Sequence, residues 1–294
     1  KTSLLRQIEY ITAALDGSWV PLFWDIQGCL TPEDMSAELQ ITLEDAADRF
    51  ARAGIDMSRY YGLDAVAGLR TISRAVAENG RQLLLLVDES EVLVKIAMRD
   101  PSYLARLRKT LQEGDMRTIL ASTQYLRQLN SATVEWITSP FLFGFQQINL
   151  HPFDVEGAVS LARQTQSNFE IEVEPDTLAD IIRHTNRHPY LVQLLCERLF
   201  VTTGSRSGHL RPVQSMDLEI DHLLDAYFRI DFDHMEPLGQ RILGITADSS
   251  TITEEQLASL LLPQEAANLQ RQLRELMELG HLARVGDNWM VGNE

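Results

Sequence analysis

QLLLLVDES, residues 82–90, decides the fold. Five apolar residues in a row, Leu83 to Val87, end abruptly on two carboxylates, Asp88 and Glu89. A run this short, continuous and bounded by charge reads as a strand buried on both faces, the kind found in parallel sheets. Ligands of open α/β sheets sit outside the carboxyl ends of the strands. Asp88 and Glu89 therefore stand where chemistry is expected. An acidic turn in solvent would leave the same residues.

Working outward, VPLFWDIQG (20–28) and RTILAST (117–123) read as two more buried strands, and FQQINL (145–150) as a further one. Between them, 1–15, 33–54, 62–79 and 91–112 carry helical patterning, with Gly54 and Gly80 as stops and Pro101 starting a new segment. Strands alternating with helices predict an α/β fold whose parallel sheet is covered on both faces. After residue 150 the pattern turns helical: 154–166, 174–185, 190–203 and 217–229, with 204–214 the most loop-like stretch. Three more helices follow, at 234–246, 253–262 and 264–279, then the Gly-punctuated LARVGDNWMV (282–291). Three helices and a hairpin of this size suggest a winged helix. The expected division is a core over 1–150, a helical lid over 151–214 and a winged-helix-like domain over 215–294.

The chain opens on KTSLLRQIEY, where Leu4, Leu5, Ile8, Ile11 and Leu15 mark one face of a helix. Lys-Thr at a helix start is the tail of a phosphate-binding P-loop, G-x-x-x-x-G-K-[ST], in which Lys reaches the β- and γ-phosphates and the hydroxyl ligates Mg²⁺. On that reading Lys1, Thr2 and Ser3 are nucleotide-binding candidates, and Thr2 and Asp88 are Mg²⁺ candidates. The chain would start inside this Walker A motif, without the first strand and the P-loop glycines, and as it stands would bind ATP poorly. QLLLLVDES then becomes a Walker B element, with Asp88 holding the water shell of Mg²⁺ and Glu89 orienting or deprotonating an attacking water. RTILAST ends in Ser122 and Thr123, either of which suits a γ-phosphate sensor beside that strand. Strand-end capping would serve them as well.

The formal net charge of −16 argues against a nucleic-acid partner unless basic residues gather on one face. Residues 230–294 hold eleven acidic side chains and four arginines. In the candidate recognition helix, 264–279, Arg271 and Arg274 face Glu265, Glu275 and Glu278. DNA affinity depends on neutralising phosphates, so protein contact is the better use of such a surface. No apolar run approaches the about 18 residues of a membrane span. Cys29 and Cys196 lie far apart in apolar surroundings, as small core residues do. A reducing, cytoplasmic setting fits. His184 and His188 are four apart, yet Pro189 forces His188 toward extended backbone, so a metal pair on one helical face is not expected.

HTNRHPYLVQLLCERLF (184–200) brings a resemblance. Arg187-His188-Pro189-Tyr190-Leu191-Val192-Gln193 is similar to the Gly-Gly-His-Pro-Tyr-Leu-Leu-Gln-type stretch that opens a lid helix in signal-transduction ATPases with numerous domains. These form the STAND branch of the AAA+-like P-loop NTPases. Asn186-Arg187 replace the usual small residues. WDIQGCLTP (24–32) and FGFQQINLHPFDVEGAVSLARQ (143–164) also resemble family segments.

The resemblance implies Pro189 against the adenine and His188 near the phosphates. It implies an ATP/ADP-dependent, Mg²⁺-dependent switch whose nucleotide state controls self-association and signals through flanking sensor and effector modules. Arg127 could complete a neighbour's site. It further implies that the strand before the P-loop is central, so its absence would leave a gap in the sheet or a collapsed sheet. Two other readings stay open: a DNA-engaging AAA+ ATPase of the origin-recognition or transposition-regulator type, and a non-catalytic scaffold.

Overall fold

A computed structural model describes residues 1–14, 18–112, 114–123, 126, 128–133, 139–164, 170–205 and 207–292. The chain divides into two units, Lys1–Gln147 and Ile148–Glu294.

The first unit runs α1 (Thr2–Ala14), β1 (Trp19–Asp25), α2 (Pro32–Asp45), α3 (Ala47–Arg52), α4 (Ala65–Glu78), β2 (Gln82–Asp88), α5 (Val92–Arg99), α6 (Pro101–Leu111), β3 (Met116–Leu120) and α7 (Gln128–Ala132). Its sheet is parallel, in the order β1-β2-β3. Strand side chains alternate between two faces. Val20, Leu22, Trp24, Leu83, Leu85 and Val87 point into one large core shared with α2, α4, α5 and α6. Phe23, Leu84 and Leu86 point the other way, onto Leu5 of α1. Arg6 lies over the Phe23 ring at 3.4 Å, so its guanidinium caps that second face.

β2 is the middle strand, which is why all five residues Leu83–Val87 are buried. β1 is an edge, and Pro21 sits there without breaking a ladder, because an edge residue need not donate outward. The Pro21 carbonyl instead accepts from Arg49 at 2.8 Å, and Arg49 also pairs with Glu9 of α1 at 2.8 Å. The helices start on local chemistry. Thr31 and Asp34 form a capping box in front of Pro32. Asp64 caps α4 and Asp100 caps α6.

β2 and β3 pair directly, Leu83↔Met116 through Val87↔Leu120, so of the gapped and the collapsed sheet expected, the structure has no gap. Two expectations are corrected here. Residues 145–150 form no strand: Phe145 packs on the core, but Ile148 is 77% and Leu150 51% exposed. Strand propensity is worth about 1 kcal/mol and acts only through a partner strand, which this stretch lacks. The helix expected over 33–54 breaks at Ala46 into α2 and α3.

The second unit holds α8 (Val155–Ala162), β4 (Glu170–Val173), α9 (Pro175–Thr185), α10 (Pro189–Leu199), β5 (Phe200–Gly204) and β6 (Ser207–Leu210). Ala162, Leu178, Ile181, Val192, Leu195 and Leu199 pack the helices together. β4, β6 and β5 form a small mixed sheet. This corrects two more readings. The helix expected over 190–203 stops at Leu199, and the stretch expected to be loop, 204–214, contains β6. The β-branched Val201-Thr202-Thr203 favour a strand, and β6 supplies the partner.

Arg211 holds the buried Asp217 through two hydrogen bonds of 2.6 and 2.7 Å. That contact keeps the Asp217 carboxyl below the ordinary carboxylate range. α11 (His222–Asp233) starts later than the helix expected over 217–229, because Ser215–Leu218 forms a short 3-10 turn first. Then come α12 (Pro237–Ser249), β7 (Ile252–Thr253), α13 (Glu254–Leu260), α14 (Pro263–Ala266), α15 (Leu269–Glu278), β8 (Leu282–Val285) and β9 (Asn288–Val291). Leu269, Leu273 and Leu276 of α15 share a core with Ile242, Leu257, Leu282 and Trp289. β7, β9 and β8 form an antiparallel sheet in that order. Among the described residues, no helix is long and apolar enough to cross a membrane.

Candidate functional site

The parallel ladder brings the carboxyl ends of β1, β2 and β3 to one edge. Asp25 and Asp88 are register partners there, and Asp88 is 1% exposed. The Asp88 carbonyl accepts from Ile26 N–H at 3.3 Å. One carboxylate oxygen accepts from Glu89 N–H at 3.0 Å. Glu89 has φ +53°, a left-handed backbone that costs an ordinary L-residue about 1–2 kcal/mol. The strain turns the chain out of β2 and into α5. Such strain persists only where the surroundings over-determine it, and here they do. Ala121 N–H donates to Val87 O at 2.8 Å, and Ser90 N–H donates to Ala121 O at 2.9 Å. The fully buried Ser90 adds its hydroxyl to Val87 O at 3.3 Å.

This zipper carries the exits of β2 and β3 side by side. Ser122 and Thr123, the two sensor candidates, follow Ala121 directly and are half-buried. Ser122 Oγ donates to Thr123 O at 2.8 Å, so the hydroxyl of Ser122 is engaged locally. The Glu89 carboxyl is pushed above its ordinary value, first by partial burial and then by the charges of Glu91 and Asp88. The Lys1 ammonium acts on it in the opposite direction. Lys1 also accepts Leu5 N–H on its carbonyl at 3.1 Å, opening α1. Thr2 and Ser3 occupy the exposed first turn of α1.

Mg²⁺ is commonly held by one or two carboxylates together with phosphates and water. Among the described residues there is no cluster of three or more His, Cys, Asp or Glu able to hold a metal. The buried Asp88 carboxylate, a hard oxygen donor with lone pairs beyond the one Glu89 uses, fits the sparser arrangement.

His188 and Pro189 are placed within the second unit. His188 is the residue before α10, with extended backbone (φ −67°, ψ 122°), and Pro189 is the first helical residue. His184 belongs to the last turn of α9. Two residues in front of His188 the sequence reading had less to say. Asn186 and Arg187 both have positive φ, 42° and 61°. The signal was present: small residues usually occupy these places in the stretch that 184–200 resembles, and Asn is among the residues that tolerate a left-handed backbone. Asp25 and Ser90 were also missed, Asp25 because register is invisible in a single strand. Arg127 lies outside the described residues.

Among solved structures, the chain is similar to the Walker-type ATPase PABY2304 of Pyrococcus abyssi. The two share 15% identity over 93% of this chain and 81% of that one, with a TM-score of 0.56. The fold is that of a P-loop ATPase. At this identity the likeness speaks for the fold alone. Looser alignments, too loose to carry an argument, reach the Aeropyrum pernix ORC2 protein in ADPNP–ADP complexes and Cdc6p from Pyrobaculum aerophilum. For ORC2 the identity is 14%, over 99% of this chain and 78% of that one, with a TM-score of 0.47. For Cdc6p it is 14%, over 100% and 81%, with a TM-score of 0.45. No family model matches the chain, and no curated protein matches it.

Proposed function

We propose that the chain is the ATPase core of a STAND-type regulatory switch, in which bound ATP or ADP sets the state of a lid and a winged-helix-like domain. The observation that carries the reading is the exit of a fully buried strand on Asp88 and Glu89, zippered through Ala121 to the end of β3, where Ser122 and Thr123 follow. In this reading Lys1, Thr2 and Ser3 face the phosphates, and Thr2 and Asp88 hold Mg²⁺. Bound Mg²⁺ would neutralise charge on the phosphate oxygens. Glu89 orients the attacking water, helped by a carboxyl whose raised pKa favours taking a proton. Ser122 or Thr123 reads the γ-phosphate, and His188 and Pro189 meet the nucleotide from the lid. Nucleotide state would alter self-association and the output of flanking modules.

A DNA-engaging role fits the C-terminal surface poorly. Arg271 of α15 is paired with Glu236 at 3.3 Å and with Glu275 at 3.8 Å. A guanidinium so occupied offers little to a phosphate.

The test is a titration with ATP and Mg²⁺, followed by binding, hydrolysis and molecular mass. Lys1→Ala should weaken binding by about tenfold or more, the loss of one charge-assisted contact. Glu89→Gln should retain binding and lose hydrolysis. Absence of ATP binding by the full-length protein that contains this chain would overturn the reading. ATP binding together with DNA binding that persists at physiological salt would replace it with the origin-recognition type.

A further inference from the structure

Three stretches distant in sequence cross in the second unit just ahead of His188. The first is 149–153. His151 Nδ1 donates to Glu278 O at 2.9 Å, which fixes the Nδ1–H tautomer, and Asn149 Nδ2 donates to Glu278 Oε2 at 3.3 Å. Phe153 N–H donates to Arg187 O at 3.1 Å. The second is the turn between α9 and α10. Asn186 Nδ2 reaches across 94 positions to Gly280 O at 3.2 Å. The third is the end of α15 and the closing residue of the hairpin, where Gly292 N–H donates to His281 O at 2.8 Å.

The crossing is close. A Cβ on Gly280 would come within 2.9 Å of Pro152 Cγ. A Cβ on Gly292 would collide with the Gly280 carbonyl oxygen and come within 2.9 Å of Asn186 Nδ2. Both glycines are buried, and Gly280 also has φ +81°. Two consecutive left-handed residues without a glycine are an unfavourable way to build a turn. The side chain of Asn186 gives that turn a tertiary anchor, and the anchor is a backbone atom of the helix–hairpin.

We propose that Asn186 is a positioning residue. Its side chain ties the left-handed turn that presents His188 and Pro189 to the chain crossing at Gly280 and Gly292, so that the turn and the C-terminal helix–hairpin move as one. A ligand bearing on His188 or Pro189 would then be felt at α15 and β9, and a partner seated on the helix–hairpin would be felt at His188. The purpose of the coupling rests on the nucleotide reading above; the coupling itself does not.

The experiment is therefore run without nucleotide, on the whole chain, by amide hydrogen exchange. Asn186→Gly keeps the left-handed turn accessible and removes the anchor. It should speed exchange at the His281 and Gly292 amides about five- to tenfold, the loss of one hydrogen bond. Gly292→Ala presses on the crossing from the other side, and should speed exchange at Phe153 and His188. Coupling is reciprocal, so both effects are expected with Leu85 and its strand unchanged. If Asn186→Gly leaves His281 and Gly292 protected, the proposal is wrong. The same holds if Gly292→Ala disturbs only 278–292 and spares Phe153 and His188. Should Gly292→Ala fail to fold, Asn186→Gly decides alone. A failed ATP titration with these exchange effects present would remove the nucleotide reading and leave the coupling standing.

Discussion

The turn after β2 and the turn before α10 solve one problem in two ways. Each drives a non-glycine residue into left-handed backbone directly ahead of a helix: Glu89 before α5, and Asn186 with Arg187 before α10. Each presents candidate site residues. The supports differ. Glu89 is held by a backbone zipper between two parallel strands, next to a buried Asp88 and a buried Ser90. The Asn186 turn is closed by His188 N–H on Thr185 O at 2.8 Å, and it is tied outward by the Asn186 amide on Gly280 O and by Phe153 N–H on Arg187 O. A turn fixed by a sheet has no second arrangement short of unfolding. A turn tied to the rest of its unit by a few separate hydrogen bonds can let go. The first is suited to aligning a carboxylate, and the second to reporting a change.

The largest blow to this contrast would fall on the sheet. Leu85 is fully buried at the middle of β2. Leu85→Ala should cost about 2–5 kcal/mol of the first unit's stability through lost contacts and a residual cavity. Urea unfolding should show it, with the second unit's transition unmoved. A shift in both transitions would mean that the two turns do not belong to independently stable units.

The glycine exchange is subtler and tests the two turns against each other. Glycine removes the left-handed penalty of about 1–2 kcal/mol and adds back about 0.5–1 kcal/mol of unfolded-state entropy. Glu89→Gly should therefore be neutral or stabilising by up to about 1 kcal/mol, since the zipper does not use its side chain. Asn186→Gly gains less, because Asn tolerates this backbone, and loses a hydrogen bond worth about 1 kcal/mol. It should be destabilising by about 0.5–1.5 kcal/mol. Opposite signs in thermal melts support the contrast, and equal signs break it.

The same contrast explains what the sequence could reveal. The run Leu83–Val87 and the pair Asp88-Glu89 are local, and the pattern alone locates the strand and its carboxyl end. The pairing of β2 with β3 is not local. It depends on which strands find each other, and the sequence leaves a gapped and a collapsed sheet both open. FQQINL has strand composition but no partner, and propensity yielded to that absence. At 200–210 the reverse happened: two short stretches unremarkable alone formed a hairpin because each supplied the other's ladder. For the proposed site, Lys1, Asp88 and Glu89 are singled out by local motif tails. The role of Asn186 was not, since its partner Gly280 lies 94 positions away and only a folded chain brings them together.

The smallest effect concerns the two thiols, which probe the units without altering them. Cys29 is 4% exposed in the large core of the first unit, and Cys196 is 9% exposed in the smaller core of α8, α9 and α10. Burial pushes Cys29 up to about 11, helped by Glu38, Asp34 and Asp25, and burial alone pushes Cys196 up to about 11. A folded thiol of this kind is almost wholly protonated at neutral pH and unreactive. Labelling must then await opening, and its rate reports the local opening free energy. The helices around Cys196 adjoin the more lightly tied turn, so Cys196 should label several-fold faster than Cys29. Asn186→Gly should widen the ratio by accelerating Cys196 alone. Equal rates would mean that the two turns are equally fixed, and the distinction between an aligning turn and a reporting turn would have no physical basis.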